Sequence, residues 1–371
     1  MKVNTISLNS VRLNTIALNH IGEIRSGGGA PKPSPIPQWI REHVVFYYDV
    51  KKQGATNETL KESAYLQDLS GKGRRMKLNN FLFAEMSGVG GYNDNFSNWK
   101  TDSNNGVVKI ESDSSIVMQS VKIEYRGILY QDSSKNATLK CNITGITEEL
   151  KGKLIFRYTD AEGGKNITLE NGYFELNSSE YEGLSGWYGF TSKQPIDNCN
   201  ITITQIPEYP GALVTDGVDD YGLVENLSSG VKMLFMTVNP IGDFNIGKMY
   251  YSQRHNPIDI TPFYIFTGGT NKNIAYAGNR DGVTYINGVL NKSITYNELF
   301  GVKHTITTVS DNVKPETSKA PSFFWEEGNT KNYCSRLAFY NSIAFDAIPT
   351  EADGFTEQEL IDYVITNIIG Q

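Results

Sequence analysis

Apolar residues in this chain come in short runs, alternating or unbroken, and Gly, Asn, Asp or Pro ends nearly every run within about ten residues. That punctuation leaves no room for a bundle of long helices and suits many short strands joined by turns. The 21 Tyr, 17 Phe and 35 Gly among 371 residues point the same way, because aromatic residues favour pleated surfaces and glycine favours turns. A length of 371 residues also exceeds what one small core needs, so two or more separate cores are expected. One segment breaks the pattern. Thr356-Glu357-Gln358-Glu359 has the form of a capping box, and Leu360, Ile361, Val364, Ile365 and Ile368 follow at helical spacing, so one helix is expected to close the fold.

The first two dozen residues carry a five-residue repeat: Val3-Asn4-Thr5-Ile6-Ser7, Leu8-Asn9-Ser10-Val11-Arg12, Leu13-Asn14-Thr15-Ile16-Ala17 and Leu18-Asn19-His20-Ile21-Gly22. On an α-helix a five-residue step turns roughly 500°, so the apolar positions would spiral around the axis instead of forming a stripe. In extended chain, Ile6 and Leu8 share a side, as do Val11 and Leu13 and then Ile16 and Leu18, but the side changes between pairs and a bend is needed in every unit. The pattern resembles a miniature β-solenoid, similar in period to pentapeptide-repeat proteins. Four units cannot bury Ile6, Leu8, Val11, Leu13, Ile16, Leu18 and Ile21 without a neighbour to stack on. Residues 1–25 are therefore expected to be an anchor that folds against a partner, either copies of itself in a homotrimer or a groove on another protein of an assembly. Residues 26–40, with Ser26-Gly27-Gly28-Gly29 before Pro31, Pro33, Pro35 and Pro37, are expected to be a flexible hinge and a stiff spacer.

Several function classes are disfavoured. The net charge of −7 comes with no basic stripe, so nucleic acid is not an expected partner. No apolar run approaches the roughly 18 residues of a membrane span, and the opening Met1-Lys2-Val3-Asn4 lacks the apolar core of a secretion signal. The expectation is a protein made in a bacterial cytoplasm with no membrane insertion. Cys141, Cys199 and Cys334 have neither pairing nor metal-ligand spacing and read as small buried hydrophobes. No metal and no cofactor are expected.

From residue 44 onward the motifs occur in an order that resembles a known family. Val44-Val45-Phe46-Tyr47-Tyr48-Asp49 is followed by Asp68-Leu69-Ser70-Gly71-Lys72-Gly73 and by the strand-like Met76-Lys77-Leu78-Asn79. Far downstream come Thr215-Asp216-Gly217-Val218-Asp219-Asp220-Tyr221, the apolar Val231 to Val238, Thr284-Tyr285-Ile286-Asn287-Gly288-Val289, the alternating His304 to Val309, and Ser335 to Ile343. This succession resembles concanavalin A-like, laminin G-like domains. The resemblance implies an all-β fold: a jelly-roll sandwich over 41–95 and 209–371, interrupted by a second β-sandwich over 96–208. Runs at Ile116 to Tyr125, Ala137 to Thr144, Leu154 to Tyr158, Tyr173 to Leu176 and Cys199 to Ile206 supply the insert's strands, with Glu162-Gly163-Gly164-Lys165 among the turns. Insertion at a surface loop is structurally cheap.

The same family includes glycoside hydrolases, whose two catalytic carboxylates stand on alternate residues of one strand. No such strand occurs here, and Glu326-Glu327 are adjacent residues that would point to opposite faces if extended. No enzyme activity is expected. Sugar binding needs exposed aromatic faces beside hydrogen-bonding groups. Candidates are Trp187, Tyr188 and Phe190 in the insert, and Tyr250, Tyr251, His255 and Trp325 in jelly-roll loops, each weighed against a place in a core. Asp216, Asp219 and Asp220 could hold calcium, as in some relatives, but an Asp-rich turn is equally expected. The whole resembles structural proteins of phages and prophages of Bacteroidetes. It implies a head-fibre or tail-fibre component, on the particle surface, bound to other virion proteins and contacting a host-surface glycan. A bacterial surface lectin or adhesin, and a glycan hydrolase or lyase, are the rival readings.

Overall fold

A computed structural model describes residues 34–132, 138–160, 163–177, 187–227, 230–242, 249–252, 264–268, 273–277, 283–291, 295–310, 321–324 and 334–370. The repeat with Ile6 to Ile21, the glycines of 26–29, His255, Trp325 and Glu326-Glu327 lie outside the described residues. Within them the chain is mostly β, arranged in antiparallel sheets, and it divides into two compact units. One unit comprises residues up to 83, residues 87–89 and residues 211–371; the other comprises 84–86 and 90–210. The boundaries expected at 96 and 208 fall a few residues inside that division.

The first unit holds an eight-stranded and a seven-stranded sheet. Its central strand is Leu337–Phe345, buried at eight of nine positions. Along one edge it pairs with Met233–Pro240. Along the other, its C-terminal half pairs with Val44–Asp49 and its N-terminal half with Leu213–Val214. Phe46, Leu234, Met236 and Phe339 from this sheet share a core with Leu66, Met76, Val224, Tyr251 and Phe323 from the other, so apolar side chains from both sheets fill one layer.

The opposite face of the eight-stranded sheet is also covered, which explains why Val44–Asp49 is apolar at nearly every position and buried along its whole length. Tyr47, Phe235, Ile343 and Phe345 pack there against two helices, Ile36–His43 and Glu357–Val364. The first of these corrects the reading of 26–40 as spacer throughout. Pro35 and Pro37 sit at the start of a helix, where a missing N–H costs nothing, and Ile36, Trp39 and Ile40 then recur at helical spacing and are buried. Trp39 lies 5.4 Å from Phe345 and 5.8 Å edge-on to Phe355, ring centre to ring centre. Short helices at Asn57–Ser63 and Tyr296–Leu299 likewise exceed the single helix expected.

The closing helix begins at the anticipated box: Thr356 accepts from the Glu359 N–H, and Glu359 accepts from the Thr356 N–H at 2.7 Å. Those bonds from Thr356 hold the Glu359 carboxyl below its ordinary range. The helix runs on into a π-helical turn, Ile365–Ile369, whose last carbonyls would be orphaned. They are not, because the Tyr47 hydroxyl and the Lys52 ammonium donate to the Ile368 oxygen and the Asn341 amide donates to that of Ile369.

The Asp68-Leu69-Ser70-Gly71 loop is a fastening. The Asp68 carboxylate accepts from the N–H groups of Tyr47 (3.0 Å), Ser70 (2.9 Å) and Arg74 (3.0 Å) and from the Ser70 hydroxyl (2.6 Å). Gly71 and Gly73 adopt φ of 79° and 74°, the left-handed conformations this tight loop requires.

The second unit has two five-stranded sheets around one core. One runs Gly163–Thr168, Leu154–Asp160, Trp187–Ser192, Leu129–Asp132, Lys100–Thr101; the other runs Gly172–Asn177, Thr138–Thr144, Ile201–Gln205, Ser115–Val121, Gly106–Ser112. Residues 163–165, expected in a turn, open a strand. Inward residues of both sheets, such as Met118, Leu139, Phe156, Phe190 and Ile203, meet in the core with Trp99, whose ring stacks on Phe190 at 5.8 Å. Cys141 and Cys334 are buried and Cys199 is partly buried, none in a disulfide, as small hydrophobes would be. Burial pushes the Cys141 thiol well above its usual range, which suits an inert thiol.

The helix docking gives a direct expectation. Leu360→Ala opens a cavity under the closing helix and should lower the stability of the first unit by roughly 2–5 kcal/mol. In thermal scanning the transition of that unit should move down while that of the second unit stays in place.

Candidate functional site

The structure separates the candidate aromatic residues sharply. Tyr250 and Tyr251 are 1% and 0% exposed and belong to the core of the first unit, so neither offers a ring face to a ligand. Tyr188 (1%) and Phe190 (0%) point into the core of the second unit. These four assignments are corrected to packing, for one physical reason: on a strand, a side chain's face is set by parity. In Trp187–Ser192, residues 188 and 190 take the inner face and 187 the outer one.

Among the described candidates Trp187 is thus the one that reaches the surface, and it is not alone there. Its ring centre lies 5.9 Å from that of Tyr130 on the neighbouring strand, edge to face. Both rings rest against Gly127: a Cβ at that position would stand 3.0 Å from the Trp187 ring and 3.0 Å from Tyr130. Gly189 pairs with Tyr130 on one side and Arg157 on the other, and a side chain there would strike the Leu129 carbonyl at 2.3 Å. Strands 129–132 and 187–192 are pressed together by these glycines, and the two rings form one ledge; Arg157, two strands from Tyr130 on the same outer face, has its guanidinium against Gly164 on the strand beyond. The Arg157 guanidinium in turn sits 5.4 Å from the ring centre of Tyr125, whose backbone N–H donates to the Ser192 carbonyl at 2.9 Å.

The outer face of this sheet therefore carries two aromatic side chains in contact and a cation stacked on a third. Such a face can stack against the apolar face of a sugar ring while Arg157 donates to its oxygen atoms. Sequence reasoning missed Tyr125, Tyr130 and Arg157. The strand 129–132 is only four residues long, and nothing in its own pattern ties it to 187–192.

The aspartates form a second cluster, with one carboxylate oxygen from each of Asp216, Asp219 and Asp220 within 4.8 Å of the others. Their bonds are those of a turn. Asp216 accepts from the N–H of Val218 (2.7 Å) and Asp219 (3.3 Å). Asp220 accepts from the Asp216 N–H (2.8 Å) and the Ser87 hydroxyl (3.0 Å). Gly217 supplies the positive φ, 77°. Asp220 is fully buried, and desolvation pushes its carboxyl up to about 7 against the bonds from Asp216 and Ser87.

That shift fixes a pH dependence. The folded state holds the proton of Asp220 up to about pH 7, whereas the unfolded chain releases it near the ordinary carboxylate value. Its contribution to stability is present below that lower value and is lost as pH rises toward 7. Asp220→Asn should therefore flatten the decline in the first unit's stability between about pH 4 and 7, read as the difference between the two proteins' denaturation midpoints across that range.

No helix among the described residues is long and apolar enough to cross a membrane. No family model matches the chain, and comparison with curated proteins and with solved structures finds no match in either.

Proposed function

We propose that this chain is a non-enzymatic structural protein of a bacteriophage particle, a fibre or adhesin component held by residues 1–25 and presenting two β-sandwich units to host-surface glycans. In this reading the first unit is a concanavalin A-like, laminin G-like jelly roll and the second is a glycan-binding insert. The observation that carries it is the Trp187–Tyr130 ledge on an outer face that also carries Arg157 and Tyr125, an aromatic and hydrogen-bonding surface on the outside of an inserted sandwich. The jelly-roll assignment is supported by strands at 44–49, 76–79, 213–214, 221–224, 233–240, 304–309 and 337–345, which follow the order of the family-like motifs.

The non-enzymatic part is supported by what the close-set reactive groups are doing. The clustered aspartates hold a turn, and the Cys141 thiol is buried and protonated. The anchor reading is supported by the apolar pentads of 1–25, which need a partner to bury Ile6 through Ile21. Homotrimeric association and contact with other virion proteins belong to the same reading, as does exposure on the particle surface after synthesis in the host cytoplasm.

Two experiments test it. Deleting residues 1–25 should abolish incorporation into particles and convert a trimer-sized species to a monomer in light scattering, with the thermal transitions of both units unchanged; undiminished copy number in particles would refute the anchor. Trp187→Ala should weaken binding to the best ligand on an array of bacterial surface glycans about tenfold, roughly 1.4 kcal/mol, with both thermal transitions retained at the assay temperature. Glycan binding by a protein that never enters particles would favour an adhesin outside any virion.

A further inference from the structure

The opposite sheet of the second unit carries a surface of different chemistry. Tyr173 on Gly172–Asn177 is 62% exposed, on a sheet whose other face fills the core with Phe174 and Leu176. Its hydroxyl donates to Glu175 at 2.6 Å. Alternate strand residues are about 6.6 Å apart, so this bond ties the exposed ring to its neighbour two residues on along the strand. The ring is largely exposed to solvent, and the Glu175 bond restrains it there.

From Tyr173 a straight row crosses the sheet. Tyr173 pairs with Asn142, Asn142 with Thr204, and Thr204 with Ser115. Asn142 is exposed and the Thr204 and Ser115 hydroxyls lie 3.1 Å apart. With strands about 4.8 Å apart the row is about 14 Å long, the scale of a short oligosaccharide rather than a single ring. It offers a stacking platform at one end and amide and hydroxyl groups along the rest, each able to donate and accept.

The charges on this face decide between ligand classes. Lys140, the ladder partner of Glu175, is paired with Glu208 at 2.7 Å, and Lys109 is paired with Glu111 at 2.8 Å. Both cations are thus neutralised, while Glu175 adds a further carboxylate. Among the described residues an anionic chain would meet carboxylates and paired cations on this face, unlike the opposite face with Arg157.

We infer that the Tyr173–Asn142–Thr204–Ser115 row is a second glycan-binding site, separate from the Trp187 ledge and selective for uncharged polysaccharide. It rests on the glycan-binding reading above and gives that reading two sites on one unit. The row stacks one sugar ring on Tyr173 and hydrogen-bonds the following rings through Asn142 and the two hydroxyls.

Calorimetric titration of the full chain with dextran, a soluble β-glucan and a mannan, with polygalacturonate as the anionic comparison, tests this. At least one uncharged polymer should bind, with an affinity insensitive to salt. Tyr173→Ala should weaken that binding at least tenfold, Asn142→Ala several-fold, and Tyr173→Phe by an intermediate amount, because the ring remains but its tether to Glu175 is gone. Both side chains are on the outside, and unchanged thermal transitions would exclude misfolding. If Tyr173→Ala binds as well as the parent while Trp187→Ala does not, the second site is wrong and the proposed function stands. If the parent binds none of the uncharged polymers, the site is wrong, and the glycan array with Trp187→Ala decides the function independently. Binding of polygalacturonate lost on Tyr173→Ala would overturn the selectivity.

Discussion

The pairing of Leu337–Phe345 with its three partners is the constraint on which the first unit depends. Those partners begin at residues 44, 213 and 233, so the sheet is completed only when a segment near the end of the sequence meets strands up to about three hundred residues earlier. No local signal can assemble such a strand; burial on both faces does it. On one side Phe339 and Ala344 enter the core shared with the seven-stranded sheet, and on the other Ile343 and Phe345 lie under the two helices. The helices depend on the strand in turn, since the carbonyls ending the last one are met by Tyr47, Lys52 and Asn341 from the strand region beneath.

Much of this was readable from residues alone where a local rule acts without competition. The Thr356 to Glu359 box, the His304–Val309 alternation and the unbroken apolar run at 44–49 each specify their element because propensity and burial agree. The helix at 36–43 was hidden by its prolines, which read as spacer until Ile36, Trp39 and Ile40 are seen to find a surface. The strands at 106–112, 129–132 and 187–192 were missed because partly polar or very short segments become strands only through their neighbours. For the site, aromatic content was legible and orientation was not. A shift of one residue in register exchanges the inside for the outside, so Tyr188 fell into the core and Trp187 onto the surface.

The two outer faces of the second unit differ in what their charged groups are free to do. On the Trp187 side, the Arg157 guanidinium lies over the Tyr125 ring, 5.4 Å from its centre. On the Tyr173 side, both lysines are held by carboxylates and the ring is held by a third. Two sheets of one small sandwich thereby present distinct chemistry from nearly the same scaffold, because outward residues in a sandwich are released from the packing that fixes the inward ones.

A last consequence follows from how the chain leaves and re-enters the larger sheet. Gly88–Val89 and Leu213–Val214 are hydrogen-bonded neighbours, and the Asn57 side chain accepts from the Val89 N–H at 2.6 Å on the far edge. The same amide donates to the Val89 carbonyl at 3.4 Å, so it occupies the place another strand would take. Departure and return are therefore one ladder step apart. Any insert whose ends meet at that spacing satisfies the same ladder, so the host sheet constrains such a segment at its two ends and not along its length.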